Sequence, residues 1–229
     1  MARQLLHYVT FLKEFRRTFH TTGAVLPSGP QLSKATLRPF LRRSRPSRIL
    51  EVGPGTGPVT QEIVKHLRPG DVFDIVELNG RFVECLRHRF ATEPAFQRSA
   101  QQSVVHHVPV QEFAATERYD YIMCGLPFNN FPKELVKDIF HRFDELLAPD
   151  GVLSFFEYLW IRRMKALVAS RPERQRLAGV GCVLGWYLER YEIGHTKVFV
   201  NFPPAVVHHL QLGTEDHRNN GAPKDIVAA

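Results

Sequence analysis

The sequence predicts an α/β fold: a mostly parallel, seven-stranded sheet with helices on both faces, preceded by basic amphipathic helices at the N-terminus. Three observations carry this. Short apolar runs of strand length alternate with longer stretches of helical period through the middle of the chain. Turn signals such as Pro69-Gly70 and Pro149-Asp150-Gly151 punctuate the alternation. A bare, glycine-rich turn, GPGTG at 53–57, follows directly on the first apolar run, as where a buried strand turns sharply into a helix. The chain has 229 residues and is 44% hydrophobic, enough for one substantial core.

Each element has its own reason. From Leu5 to Phe19 the residues Leu5, Tyr8, Val9, Leu12, Phe15 and Phe19 recur at three- and four-residue steps, with Lys13, Arg16 and Arg17 beside the stripe. This helix suits a membrane interface or packing on its own domain. Pro27-Ser28-Gly29-Pro30 is a turn, residues 31–41 a second helix, and Arg42-Arg43-Ser44-Arg45-Pro46 a basic linker. Strands are predicted at 49–53, 72–76, 104–108, 119–124 and 152–156, and helices at 59–67, 80–90 and 133–147. A basic helix is expected over 159–170. A hairpin is expected from strands 184–193 and 197–202 around a Gly194-His195 corner, closing the far edge. The divisions are an N-terminal helical segment at 1–48, the main domain at 49–212 and a polar tail at 213–229.

Charge is unevenly spread. Residues 1–48 contain ten Lys or Arg and one acid, Glu14, whereas the whole chain carries a net +7. The rest is therefore slightly acidic, and the basic front points to nucleic acid, to anionic lipid, or only to a solvated charge run. Cys85, Cys124 and Cys182 are too sparse for a disulfide framework and lack metal-ligand spacing. The pairs His106-His107 and His208-His209 sit on strands, where neighbours point to opposite faces, so no metal is expected. No apolar run reaches the roughly 18 residues of a membrane span, and the N-terminus does not read as a signal peptide. The expected location is cytoplasmic.

The glycine turn narrows the chemistry. A dinucleotide fingerprint, G-x-G-x-x-G, fails here, because counting from Gly53 or Gly55 ends on Pro58 or Thr60. A P-loop would need Gly-Lys-Ser/Thr, also absent. What stands is Glu51-x-Gly53-x-Gly55-x-Gly57, with Glu77 ending the second strand in VFDIVEL. This pattern resembles the class I methyltransferases that use S-adenosylmethionine, over about residues 45–160. The resemblance implies that Gly53, Gly55 and Gly57 pass under the amino-acid part of the cofactor and that Glu77, beside Leu78, grips the ribose hydroxyls. A carboxylate, an acceptor-only group, suits two hydroxyl donors. Glu51 would lie near the cofactor's amino group, and Val110 and Gln111 at the adenine edge, although the Asp common in that stretch is missing from HHVPVQEF. Ser28 and Leu126 complete the implied cofactor set.

The methyl acceptor should face CGLPFNNFP, residues 124–132. Two families resemble it. The ribosomal RNA adenine dimethyltransferases carry Asn-Leu-Pro-Tyr here; this chain has Gly125 where they have Asn and Phe128 where they have the aromatic. The soluble bacterial phospholipid N-methyltransferases, acting on phosphatidylethanolamine or ornithine lipids, are the closer resemblance. They share a basic amphipathic start, an A-V-x-P-S segment (24–28), Gly125-Leu126-Pro127 and Asn201-x-Pro203-Pro204-Ala205. That resemblance implies a lipid N-methyltransferase, with rRNA adenine N6-methylation as the alternative. It also implies peripheral attachment to the inner face of the cell membrane, through an anionic surface that attracts each Lys or Arg by roughly 1 kcal/mol. The expected partners are that surface and an amine-bearing lipid, with no nucleic acid and a monomeric chain. Gly125 (through its carbonyl), Asn129 and Tyr8 are the candidates for orienting the amine, and Tyr158, Arg162, His195 and Lys197 for holding the headgroup.

Overall fold

The computed structural model describes residues 29–159, 170–201 and 203–212. Tyr8, Ser28, Arg162, the first amphipathic helix, the 159–170 helix from residue 160 to 169, and the tail lie outside the described residues. Seven strands form one sheet: β1 (Arg48–Val52), β2 (Val72–Val76), β3 (Ser103–His106), β4 (Tyr119–Cys124), β5 (Leu147–Tyr158), β6 (Glu192–Val198) and β7 (Ala205–Leu210). Their order across the sheet is β3-β2-β1-β4-β5-β7-β6. The first five are parallel, and β7 runs antiparallel to both β5 and β6.

Residues alternate between two apolar layers, as the pleat requires. Leu50, Val52, Ile122 and Cys124 face one layer, with α6 (Lys133–Leu146) and α7 (Arg171–Tyr191). Ile49, Phe73, Ile75 and Met123 face the other, with α3 (Pro58–His66), α4 (Gly80–Thr92) and α5 (Pro94–Gln97). Phe140 stacks on Tyr187 in the first layer at 4.4 Å between ring centroids. Asp74, buried among these strands, accepts from the Tyr119 hydroxyl at 2.8 Å and lies 2.6 Å from His106 Nε2, so it is not left unpaired.

Three expectations are corrected. The predicted 31–41 helix is two short ones, α1 (Pro30–Thr36) and α2 (Arg38–Leu41), because Pro39 cannot continue an established hydrogen-bond ladder. Leu37 and Phe40 are fully buried and pack in the second layer. Arg43 is internal too: its guanidinium meets Asp71 at 2.6 Å, and Asp71 also accepts from the backbone of Ser47 and Arg68. A buried charge needs such partners, so Arg43 offers nothing to an external polyanion. The far-edge antiparallel pair exists, but its strands are β6 and β7. Residues 184–191 continue α7, whose buried Leu177, Val180, Leu184 and Tyr187 keep helical spacing. Gly194 is no corner; the β6–β7 register slips between Glu192 and Gly194, a bulge.

Candidate active site

Sheet order reverses at β1: β2 and β3 lie on one side of it and β4 on the other. That switch opens a crevice at the carboxyl ends of the strands. The residues after β1, β2, β3 and β4 border it, bringing together Gly53, Gly55, Gly57, Glu77, Leu78, Val110, Gln111, Gly125, Leu126 and Asn129.

The loop after β1 is bare for measurable reasons. Gly53, Gly55 and Gly57 all have positive φ, at 69°, 60° and 83°. A Cβ on Gly53 would stand 2.6 Å from Leu126 Cδ2, whereas one on Gly55 would meet nothing within 4 Å. Gly55 therefore faces open space, a cradle that a side chain would fill. Glu77, only 8% exposed, is bonded to the backbone of this loop. Its Oε2 accepts from Gly55 N at 3.2 Å and its Oε1 from Asn79 N at 2.7 Å. Burial pushes its pKa up, against the pull of those backbone donors.

Glu51 sits at the crevice floor, buried, with Oε2 accepting from the Thr60 hydroxyl at 2.7 Å. Burial raises its pKa to about 8, more than the Thr60 hydrogen bonds lower it. In the folded chain Glu51 therefore keeps its proton through the range from 4.5 to about 8, in which the unfolded chain releases it. The stabilisation is fully present below 4.5 and is lost as pH rises through about 8. The slope approaches about 1.4 kcal/mol per pH unit. Urea unfolding across this range should show stability falling with pH, and Glu51→Gln should flatten that fall.

The loop after β4 closes the other wall. Gly125 N donates to Val52 O at 2.9 Å, fastening this loop to β1. Asn129 follows on a single 3₁₀ turn (Phe128–Asn130), and its side-chain Oδ1 is buried without a hydrogen-bond partner among the described residues. An orphaned acceptor of this kind fits a ligand that brings N–H donors. Cys124, just before, is no nucleophile: burial pushes its thiol to about 12.

Two residues that local sequence patterns did not reveal hold the loops. Arg89 on α4 donates to the carbonyls of Thr56 and Gly57 at 2.9 and 3.0 Å, and pairs with Glu93. Arg176 on α7 donates to the carbonyls of Asn129 and Phe131 at 2.8 and 2.7 Å, with Glu173 beside it. The Arg89–Glu93 spacing was visible, but the distant carbonyls that matter were not. Tyr158, His195 and Lys197 lie on β5 and β6, not on the loops after β1 to β4. Tyr158 ends β5 and packs with Phe156 and Ala205, and burial lifts its hydroxyl to about 12. His195 and Lys197 lie on β6, the edge strand, four strand spacings from β1, or about 19 Å. His208 and His209 face opposite sides, toward Glu192 and Ser154 respectively. Among the described residues, no group of three or more His, Cys, Asp or Glu is placed to hold a metal.

Comparison with known proteins matches this architecture. Residues 50–153 match the family described as Methyltransferase domain. An ornithine lipid N-methyltransferase of Singulisphaera acidiphila is 30% identical over 155 residues, covering 67% of this chain and 80% of that protein. The chain belongs to the class I S-adenosylmethionine-dependent methyltransferases. The ribosomal RNA small subunit methyltransferase A of Parasynechococcus marenigrum is 41% identical over 84 residues, but these are only 36% of this chain and 26% of that protein. Among solved structures, the N-methyltransferase NodS from Bradyrhizobium japonicum, in complex with S-adenosyl-L-homocysteine, superposes with a TM-score of 0.58 at 14% identity, covering 88% of this chain and 97% of that one. At that identity the likeness concerns the class I methyltransferase fold. No helix among the described residues is long and apolar enough to cross a membrane.

Proposed function

We propose that this methyltransferase alkylates the amine of a membrane lipid headgroup, of the ornithine lipid or phosphatidylethanolamine type, at the inner face of the cell membrane. The observation that carries the substrate class is the breadth of the likeness to the ornithine lipid enzyme, against a match to the ribosomal RNA enzyme confined to a quarter of its length. The crevice supports the same choice. A Cβ at Gly125 would lie 2.5 Å from Gly53 O, so this backbone has no room for the Asn side chain of the RNA adenine enzymes.

S-adenosylmethionine, when bound, supplies an electrophilic methyl group on a sulfonium. The residues present fit it. Gly55 leaves room for close backbone approach, and Glu77 keeps lone pairs for two ribose hydroxyls beyond the two backbone donors it already accepts. Glu51 and Thr60 lie under the loop, where a cationic amino group would favour the ionised carboxylate and draw its pKa down. Val110 and Gln111, in the segment after β3, are the candidates for the adenine edge. The chain's task toward the acceptor is positional. An alkyl ammonium has a pKa near about 10.4 and no free lone pair. Asn129 Oδ1 and the carbonyl of Gly125 would accept N–H hydrogens and aim the nitrogen, while removal from water, not these acceptors, favours the neutral amine, its proton passing to solvent before transfer. Alignment alone can lower such a barrier by about 7–11 kcal/mol.

The test is incubation with methyl-labelled S-adenosylmethionine and vesicles containing phosphatidylethanolamine or ornithine lipid, alongside ribosomal RNA fragments. Label should appear in extracted lipid and not in RNA. Label in RNA would establish the alternative, and cofactor binding without labelled lipid would refute the lipid substrate.

A further inference from the structure

Two large apolar side chains stand side by side in solvent at the turn joining β6 to β7: Phe199 is 64% exposed and Val200 is 79% exposed. Isolated exposed apolar residues are ordinary, but an adjacent aromatic and β-branched pair at a hairpin tip is a concentrated apolar surface. Its position is informative. β6 and β5 are both antiparallel to β7, so β6 runs parallel to β5 and to the strands bearing the crevice. The tip therefore projects from the same end of the sheet as Gly55, Glu77 and Asn129.

The tip is also braced and electrically suited to an anionic surface. Asn201, 8% exposed, accepts from Gly29 N at 3.0 Å and donates to the carbonyl of Pro203 at 2.8 Å. The chain before Gly29 contains four Lys or Arg and one acid, so this basic stretch joins the fold at the hairpin tip. From Gly194 to Leu212 there is no Asp or Glu, and Lys197 stands two residues before Phe199. Reversible membrane attachment draws on such a pair of signals, a short apolar insertion and nearby cationic charge.

We propose that Phe199 and Val200 form a prong that enters the interface of an anionic lipid bilayer and turns the mouth of the crevice toward it. This rests on the lipid reading above and adds the surface that delivers the headgroup. A soluble acceptor would need no such prong; a headgroup amine fixed at a bilayer surface needs the crevice end to face it.

The experiment is co-sedimentation with vesicles of phosphatidylethanolamine and phosphatidylglycerol, comparing the full chain with the F199S/V200S double variant. The double variant should partition at least about tenfold more weakly, because two apolar side chains no longer leave water. V104S is the control: Val104 is 52% exposed on β3, at the opposite edge of the sheet, and its loss should leave partition unchanged. Cofactor affinity measured by calorimetry should be equal in all three proteins, which also verifies folding. Bromine-labelled lipid should quench the added fluorescence of F199W. Equal partition of the double variant and the full chain overturns the prong, even where lipid is labelled and the substrate reading stands. Weaker partition with no labelled lipid keeps the prong and removes the substrate reading. A double variant that differs only by dissociating a dimer in sedimentation velocity assigns the pair to self-association and overturns the proposal.

Discussion

Replacing Glu77 by alanine should weaken binding of S-adenosylhomocysteine by about a hundredfold or more, read by calorimetry, while leaving the fold intact. Each hydrogen bond to a charged group contributes roughly 1.5–3 kcal/mol, and the proposed geometry removes two of them at once. The same carboxylate ties Gly55 N to the end of β2, so its loss also loosens the loop before any ligand arrives. Glu77→Gln separates the effects: its one carbonyl oxygen can serve the backbone or a hydroxyl, and its amide would point a donor at the other site. Its affinity should fall between those of the wild type and the alanine variant. There is a pH signature as well. Burial holds the Glu77 pKa above the usual carboxylate value, and hydroxyl donors favour the ionised form. Affinity should therefore rise with pH until Glu77 is ionised in the free protein, and the alanine variant should lose that dependence. Unchanged affinity in the alanine variant would remove Glu77 from the cofactor site.

Why Glu77 could be found from the sequence, and Arg176 could not, follows from the range of the interactions. Glu77 ends an apolar strand, and the glycine turn follows another, so both are local features in which residue type and strand-turn-helix order coincide. The parallel core was legible for the same reason: the predicted strands at 72–76 and 119–124 coincide with β2 and β4. Arg176 and Arg89 act on backbone carbonyls 45–47 and 32–33 residues away in the chain, and no residue type marks a carbonyl as a partner. The C-terminal hairpin was misplaced because Leu-Gly-Trp-Tyr-Leu at 184–188 satisfies a strand pattern locally. Only its continuity with Leu177 and Val180 against the first apolar layer makes it helix. The pair closes the far edge as expected, but His195 and Lys197 share β6 rather than standing at a corner and on the following strand.

Substitutions at Gly125 and Gly55 should fail in different ways, and the contrast tests how the crevice is built. At Gly125 an added Cβ would stand 2.5 Å from Gly53 O, a backbone atom that cannot swing aside. Relief requires the β4 loop to pull away from β1, against the Gly125 N to Val52 O hydrogen bond at 2.9 Å. Such overpacking costs roughly 1–3 kcal/mol of stability. It also shifts Leu126 and Asn129, so Gly125→Ala should lower the unfolding midpoint and suppress methyl transfer together, by at least tenfold in rate. Gly55 has φ of 60° and nothing within 4 Å of an added Cβ. Gly55→Ala therefore carries only the left-handed backbone penalty, about 1–2 kcal/mol. Its methyl group, however, would occupy the open space over the loop, where the cofactor is proposed to lie. Cofactor affinity should drop at least tenfold in a protein that still folds cooperatively, whereas Gly125→Ala loses stability to a backbone collision. Thermal unfolding with and without S-adenosylhomocysteine reads both quantities. Gly125→Ala should retain a ligand-induced rise in midpoint from a lowered baseline, and Gly55→Ala should lose most of that rise. If Gly55→Ala keeps the full rise, the open space over the loop is not where the cofactor lies.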